Sequence, residues 1–253
     1  MRKYLIETLS SVKRRFLSLA CAAALLGAAT GGCGSVTEQE LTLAEQTLHY
    51  DLKLNINIPM TYQGLKISCQ NLFGIQCSAL PGVLGLTSSY QVTGLCDDKT
   101  MLCAGDIKQL ILFVVDFSKD PAFTTGFAQS NADNMRDVNL FYTASNGVDI
   151  DITKIDAYIG PDGIRSTTDP RAIYIGSVGP LPRKGSITDN GSPIPVPDGS
   201  PAHDVFINAV RDPSKPLNVL LSVTARYISG DPVPAAGAID VKLTPRVKML
   251  KKE

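Results

Sequence analysis

The chain has no tryptophan, two histidines among its 253 residues, and only 6% aromatic side chains. Those shortages bear directly on function. Sugar-binding platforms stack pyranose rings on exposed aromatic faces, and this chain offers eight tyrosines for that purpose and no tryptophan. Neither sign of charge is in excess, with 24 Lys+Arg against 24 Asp+Glu, so the basic footprint of a nucleic-acid binder is missing. The enzymatic signatures GxSxG, HExxH, GxGxxG and the P-loop are absent, and with them the chemistry each spacing supports. Six cysteines are present without a CxxC pair, the spacing that redox catalysis and most structural zinc sites require. No heptad or internal repeat is visible. No apolar run reaches the roughly 20 residues of a bilayer-spanning helix.

What is present begins with a leader. Arg2, Lys3, Lys13, Arg14 and Arg15 form a basic stretch opposed by Glu7 alone, and an uninterrupted apolar run then extends from Phe16 to about Ala29. That is the build of a signal peptide. Two processing chemistries fit: an ordinary cut near Gly27-Ala28-Ala29, or acylation of Cys33. The stretch Thr30-Gly31-Gly32-Cys33 resembles the lipobox of bacterial lipoprotein precursors, in which small residues precede a cysteine that is lipidated and becomes the first residue. Members of that class usually carry an aliphatic residue where Thr30 stands. The resemblance covers roughly the first 35 residues. It implies removal of residues 1–32, an acylated Cys33, and, because Gly34 rather than Asp follows, export to the outer membrane. Stable attachment takes two or more acyl chains. A secreted or periplasmic soluble protein is the alternative.

Cysteine arithmetic favours the lipoprotein. Cys21 leaves with the leader, Cys33 is acylated, and Cys69, Cys77, Cys96 and Cys103 can all pair. Four cysteines allow three connectivities. Nearest-neighbour bridges, Cys69–Cys77 and Cys96–Cys103, are the simplest, each closing a small local loop. Without residues 1–32, which hold five of the 24 basic and one of the 24 acidic residues, the remainder carries 19 against 23, a net charge of −4.

Residues 33–46 are small and polar and read as a lipid-anchored tether, followed by a single domain over 47–253. In residues 48–58, LHYDLKLNINI, an apolar residue occupies every second position, the period of a half-buried antiparallel strand. Further strands are expected at 107–117, which looks buried on both faces, and at 138–144 and 148–159, joined through the hairpin cue Asn146-Gly147. Others follow at 172–178, 204–210, 217–228 and 238–243, the last with room to continue past Pro245. Residues 179–203 hold six prolines and read as a long loop, because proline removes ladder donors. One short helix fits within 118–137. The pattern predicts an all-β fold, an antiparallel β-sandwich (immunoglobulin-like or jelly-roll-like) of about eight to ten strands.

Candidate chemistry is sparse. His49 falls on the polar side of the first strand. His203 stands beside Asp204, but neighbours on a strand point to opposite faces. Asp149 and Asp151 are the weak calcium candidates, and their alternation with Val148, Ile150 and Ile152 is equally that of a wet strand face. Arg246, Lys248, Lys251 and Lys252 read as a soluble basic tail. No metal or cofactor is expected. The expected role is non-enzymatic: a cell-envelope lipoprotein held to the membrane by its acyl chains and contacting another envelope protein within a surface assembly. A carbohydrate-binding surface module and an envelope hydrolase are the alternatives.

Overall fold

Successive strand side chains point to opposite faces, so strand pairing decides which residues meet. The computed structural model describes residues 37–52, 64–70, 76–79, 82, 91–120, 131–232 and 236–251, and Thr37–Lys252 form one compact unit. Two antiparallel sheets face each other. In the first, β1 (Thr37–Thr42) and β2 (Gln46–Leu52) lie in line along one side of β11 (Gly237–Lys251), with β5 (Met135–Asn146) on its other side. Beyond β5, the short strands β8 (Ser186–Thr188) and β9 (Ile194–Val196) form the edge. The second sheet runs β3 (Gln91–Asp97), β4 (Leu102–Val115), β10 (Leu217–Ile228), β6 (Asp151–Gly160), β7 (Ile173–Val178). The helix α1 (Pro201–Arg211) closes one end of the sandwich, where its Phe206 meets Phe117 edge-on at 5.6 Å.

The core lies between the sheets. Ile107, Ile111 and Val115 from β4, Val219, Leu221 and Val223 from β10, and Ile155 and Ile159 from β6 face Val138, Leu140, Ile239, Val241 and Val247 across it. One polar link crosses this layer: Gln109 Nε2 donates to Tyr50 Oη at 2.5 Å. Corners are tied by buried polar side chains. Asp120, 4% exposed, accepts from the Ala44 N–H at 2.6 Å, between β1 and β2. There the first strand carries one residue more than β11, and Leu43 N–H bonds the carbonyl of Pro245 at 2.9 Å. Pro245 therefore sits inside a long strand at a bulge, where no donor is missed.

Several sequence expectations change. Residues 37–42, expected within the tether, are β1. The expected strand at 48–58 is described only to Leu52, and 53–58 lie outside the described residues. Asn146-Gly147 is a crossing from one sheet to the other and no hairpin, since β5 and β6 belong to different sheets. Asn146 holds that corner: its Nδ2 donates to the carbonyls of Ile150 and Pro182, and its Oδ1 accepts from Val148 N–H. The 179–203 segment is no free loop. It supplies β8 and β9, with Pro195 opposite Asn139 on a sheet edge, the one ladder position that tolerates proline and that proline protects from further pairing. Residues 204–210 are helical. Ser200 caps α1 by accepting from His203 N–H, Pro201 fills the first turn, and Ala202, His203, Phe206, Ile207 and Val210 are buried at helical spacing. Of 118–137, residues 121–130 lie outside the described residues, and single 3-10 turns stand at Phe117–Lys119 and Ala132–Asn134. The expected basic tail is strand: Arg246 and Lys248 lie in β11, near Glu40 and Asp137.

The disulfides are Cys69–Cys96 and Cys77–Cys103, which corrects the nearest-neighbour pairing. Cys96 and Cys103 are opposite residues of β3 and β4. The Cys103 N–H and C=O point away from β3, to Ile67 O and from Ser229 N, so the pair is non-hydrogen-bonded and its side chains stand close together. Side by side, they clamp two points of the segment 64–79 onto the same hairpin instead of closing the hairpin on itself. Gly94 makes room: a Cβ there would lie 1.9 Å from the Cys77 carbonyl oxygen.

Peptide mapping under non-reducing conditions is therefore expected to recover Cys69 joined to Cys96 and Cys77 to Cys103; bridges within 69–77 and 96–103 would refute the clamp. Two buried asparagines predict opposite signs. Asn146→Ala strands several polar groups and is expected to cost roughly 2–3 kcal/mol in denaturant unfolding. Asn218, fully buried with neither amide atom hydrogen-bonded, is expected on replacement by Leu to stabilise the chain by roughly 1–2 kcal/mol.

Candidate functional site

Cys33 lies outside the described residues. The two histidines are placed and engaged. His49 stands on the outer face of the first sheet, directly opposite Asp240 in the β2–β11 register, with Nδ1 2.5 Å from Asp240 Oδ1 and Nε2 3.4 Å from Asp51. The hydrogen bond and charge of Asp240 raise its pKa above 6.5.

His203 lies on α1, its side chain 7% exposed, in a cleft of about 320 Å³ bounded by Asp133, Arg136, Asp198, Asp204 and Arg211. Its Nε2 is 3.0 Å from the carbonyl of Arg136. A carbonyl only accepts, so Nε2 donates to it, and Nδ1 lies 3.6 Å from Asp198 Oδ1. The ring thus pins α1 to the start of β5. Ion pairs Arg136–Asp198 and Arg211–Asp133 rim the cleft. Among the described residues no Ser, Thr or Cys lines it, and Ser200 Oγ caps the helix by accepting from the His203 N–H. Among those residues His203 therefore has no nucleophile beside it of the kind that the hydrolase reading requires.

Asp149 is half-buried at the corner before β6 and Asp151 is the first residue of that strand. Asp151 accepts from the Arg183 backbone and guanidinium, and Arg183 also reaches Asp231. Burial opposes ionisation of Asp151, but those bonds outweigh it and hold its pKa below the usual carboxylate value. Among the described residues no three His, Cys, Asp or Glu side chains are grouped to hold a cation. A cavity of about 40 Å³ lies between the sheets near Phe206, apolar and too small for more than a water-sized guest.

The two outer sheet faces differ sharply. That of the first sheet is laced with ion pairs: His49–Asp240, Lys242–Glu45, Arg246–Glu40 and Lys248–Asp137, with Arg246 over the Phe141 ring at 4.1 Å. The outer face of the second sheet is graded along its strands. Starting at the α1 end, its rows are Val114–Asn218–Gly160, then Leu112–Leu220–Tyr158–Tyr174, then Leu110–Ser222–Asp156–Ser177, then Lys108–Thr224–Lys154, then Asp106–Arg226. Leu110, Val114 and Tyr174 are 40%, 57% and 53% exposed. The expectation that 107–117 is buried on both faces therefore fails on one: β10 is the strand covered on both sides, and β4 leaves apolar side chains in water. At the charged end Arg226 grips Asp106 through Nε and Nη2, at 2.7 and 2.9 Å, and approaches Asp97. Hydrogen bonds from Thr100 lower the Asp97 pKa against the effect of burial.

Tyr158 and Tyr174 meet edge-on, their rings inclined by 64°, which is not the coplanar row that a sugar platform needs. The opposite end of the sandwich carries the other two exposed large apolar side chains among the described residues, Leu65 and Met101, beside both disulfides. No sequence signal marked either patch, because exposure depends on what packs over a strand and not on its composition.

The His49–Asp240 pair gives a signed pH effect. A raised folded-state pKa adds stability that is complete below 6.5 and is lost as pH rises through the folded value. Asp240→Asn is expected to bring the His49 titration midpoint, read by NMR, down toward 6.5; an unchanged midpoint would show that Asp240 is not the cause.

Comparison against protein-family models and against curated proteins finds no match to this chain.

Proposed function

We propose that this chain is a non-enzymatic cell-envelope lipoprotein, anchored by acylated Cys33, that holds a disulfide-stapled tip away from the membrane for another envelope protein. Strand β1 begins four residues after Cys33 and enters at the α1 end of the sandwich, where Thr37 pairs with Lys251. The β3–β4 turn stands at the other end of β4, whose 14 residues span about 45 Å. On this reading the chain would lead to its anchor from the end opposite the stapled tip.

The observation that carries this reading is Met101. It occupies the tip of the β3–β4 turn with a left-handed φ of 57°, a conformation glycine adopts at no steric cost. Yet the position holds a large apolar side chain, 50% exposed, braced through its carbonyl by the Cys69 N–H. Strain kept under an exposed apolar side chain is the signature of a contact residue. The bridges below it close spans of 27 and 26 residues, each worth roughly 3–4 kcal/mol on the chain-entropy account, and so keep the tip rigid.

Two variants test the two halves separately. Cys33→Ala is expected to abolish palmitate labelling and leave an unprocessed precursor; undiminished labelling would end the anchor assignment. Met101→Gly keeps the turn and removes the side chain. In-cell crosslinking followed by capture is expected to yield one near-stoichiometric protein partner for the parent and much less for Met101→Gly, with no loss of thermal stability. Equal capture by both would dismiss the tip as the contact, and retention on polysaccharide resin without a protein partner would favour a glycan-facing module.

A further inference from the structure

We propose that the apolar end of the outer face of the second sheet seats against the lipid bilayer beside the anchor. The placement rests on Cys33 as the acylated residue. Four peptide steps separate Cys33 from Thr37, a reach of about 14 Å when fully extended. Thr37 pairs with Lys251 at the end of β11, and β11 reaches the start of β5 at Met135. Through the Arg136 carbonyl that start is bonded to His203 of α1, and α1 meets Phe117, two residues beyond β4. The α1 end of the molecule is therefore the membrane-proximal end, and the apolar rows of the second sheet begin there.

The order of residues along that face matches a membrane interface. On the strands flanking the covered β10, exposed Val114 comes first, then half-buried Leu112 and Tyr158 with exposed Tyr174, then exposed Leu110 in the row of Asp156, and only then Lys108 and Lys154, the latter paired with Asp156 at 2.8 Å. Aliphatic side chains stand where the acyl boundary would be. Tyr174, with its hydroxyl 2.6 Å from Ser177 Oγ, has the apolar body and wet tip favoured at that level. The two lysines follow at a distance of six residues from Val114, about 20 Å along the strand, where long cationic side chains can reach back to anionic headgroups. The outer face of the first sheet, covered by ion pairs, has no such order and faces water. Three of the five exposed large apolar residues among those described lie on this one face, too few for a stable protein interface but suited to a chain already held at the surface by its lipid.

Because the chain contains no tryptophan, a single introduced indole reports its own surroundings. The full-length acylated protein would be reconstituted in phosphatidylethanolamine–phosphatidylglycerol vesicles as Tyr174→Trp, Val114→Trp or Phe141→Trp, the last on the outer face of the first sheet. Brominated acyl chains are expected to quench the indole emission of the Tyr174→Trp and Val114→Trp proteins about twofold, with a blue shift, as for side chains seated at the acyl boundary. The Phe141→Trp protein is expected to stay unchanged. Palmitate-labelled protein in which all three indoles stay unquenched would overturn the docking and keep the anchor. Equal quenching at all three positions would also overturn it. Loss of labelling with the Tyr174→Trp protein still quenched would overturn the anchor and support the docking; loss of both would overturn both.

Discussion

The unbroken register between β4 and β10 is the constraint on which the rest of the molecule depends. Twelve consecutive pairs, from Leu217 opposite Val115 to Ile228 opposite Ala104, run without a bulge. A one-residue slip would exchange the two faces of the strand, turning Val219, Leu221 and Val223 to the outer face and Asn218, Ser222 and Thr224 into the core between the sheets. The inner row of that pair is matched by β5 and β11 across the sandwich. The outer row carries the side chains that alternation leaves there, with Asn218, Leu220 and Ser222 of β10 buried and Leu110 and Val114 of β4 exposed. The apolar grading of the outer face is thus set by the same hydrogen-bond ladder that builds the core, and it cannot be altered by moving the strand.

Much of the fold was legible because alternation is a local property. Residues 217–228 read as a strand and are β10; Ile107, Ile111 and Val115 read as apolar strand positions and face the core. The failures share a cause in contacts between distant residues. Thr37–Thr42 is polar and reads as tether, and only β11, two hundred residues away, makes it a strand. Residues 204–210 carry β-branched side chains, yet Ser200-Pro201 and the spacing of Ala202, Phe206 and Val210 were available as a helix-start signal and outweigh that propensity. The disulfide pairing was not legible at all: which sulfurs meet depends on the flat bed that Gly94 offers to the 77–79 turn.

Buried polar groups mark the places where the chain changes direction. Asn146 satisfies three backbone groups at the crossing between sheets, Ser229 bonds both N–H and C=O of Ile67, and Asp120 answers the N–H left free between β1 and β2. Each makes up for a ladder bond that a turn or bulge removes. His203 belongs to the same class, a ring that holds a helix against a strand. Asn218 is the exception, with no bond made, and it lies in the row nearest the α1 end, directly opposite the exposed Val114. It is 0% exposed although Val114 beside it is 57% exposed, so this amide is covered without being hydrogen-bonded.

The two ends of the sandwich solve different physical problems. At the far end residues 64–70 and 76–79 pack on a hairpin whose paired Gly94 and Gly105 contribute no side-chain area, so hydrophobic burial there is small and covalent bridges take its place. At the α1 end burial is ample, with Phe117, Phe206, Leu217 and Val210 all nearly inaccessible, and no bridge is present among the described residues. Apolar side chains nevertheless remain on the outside at both ends, a few at each. A stable fold does not need them exposed: on β1, β2 and β11 the outer face carries ion pairs instead. On the proposed reading, the exposed apolar residues at the α1 end would sit at the membrane and those at the stapled tip would be touched by a partner.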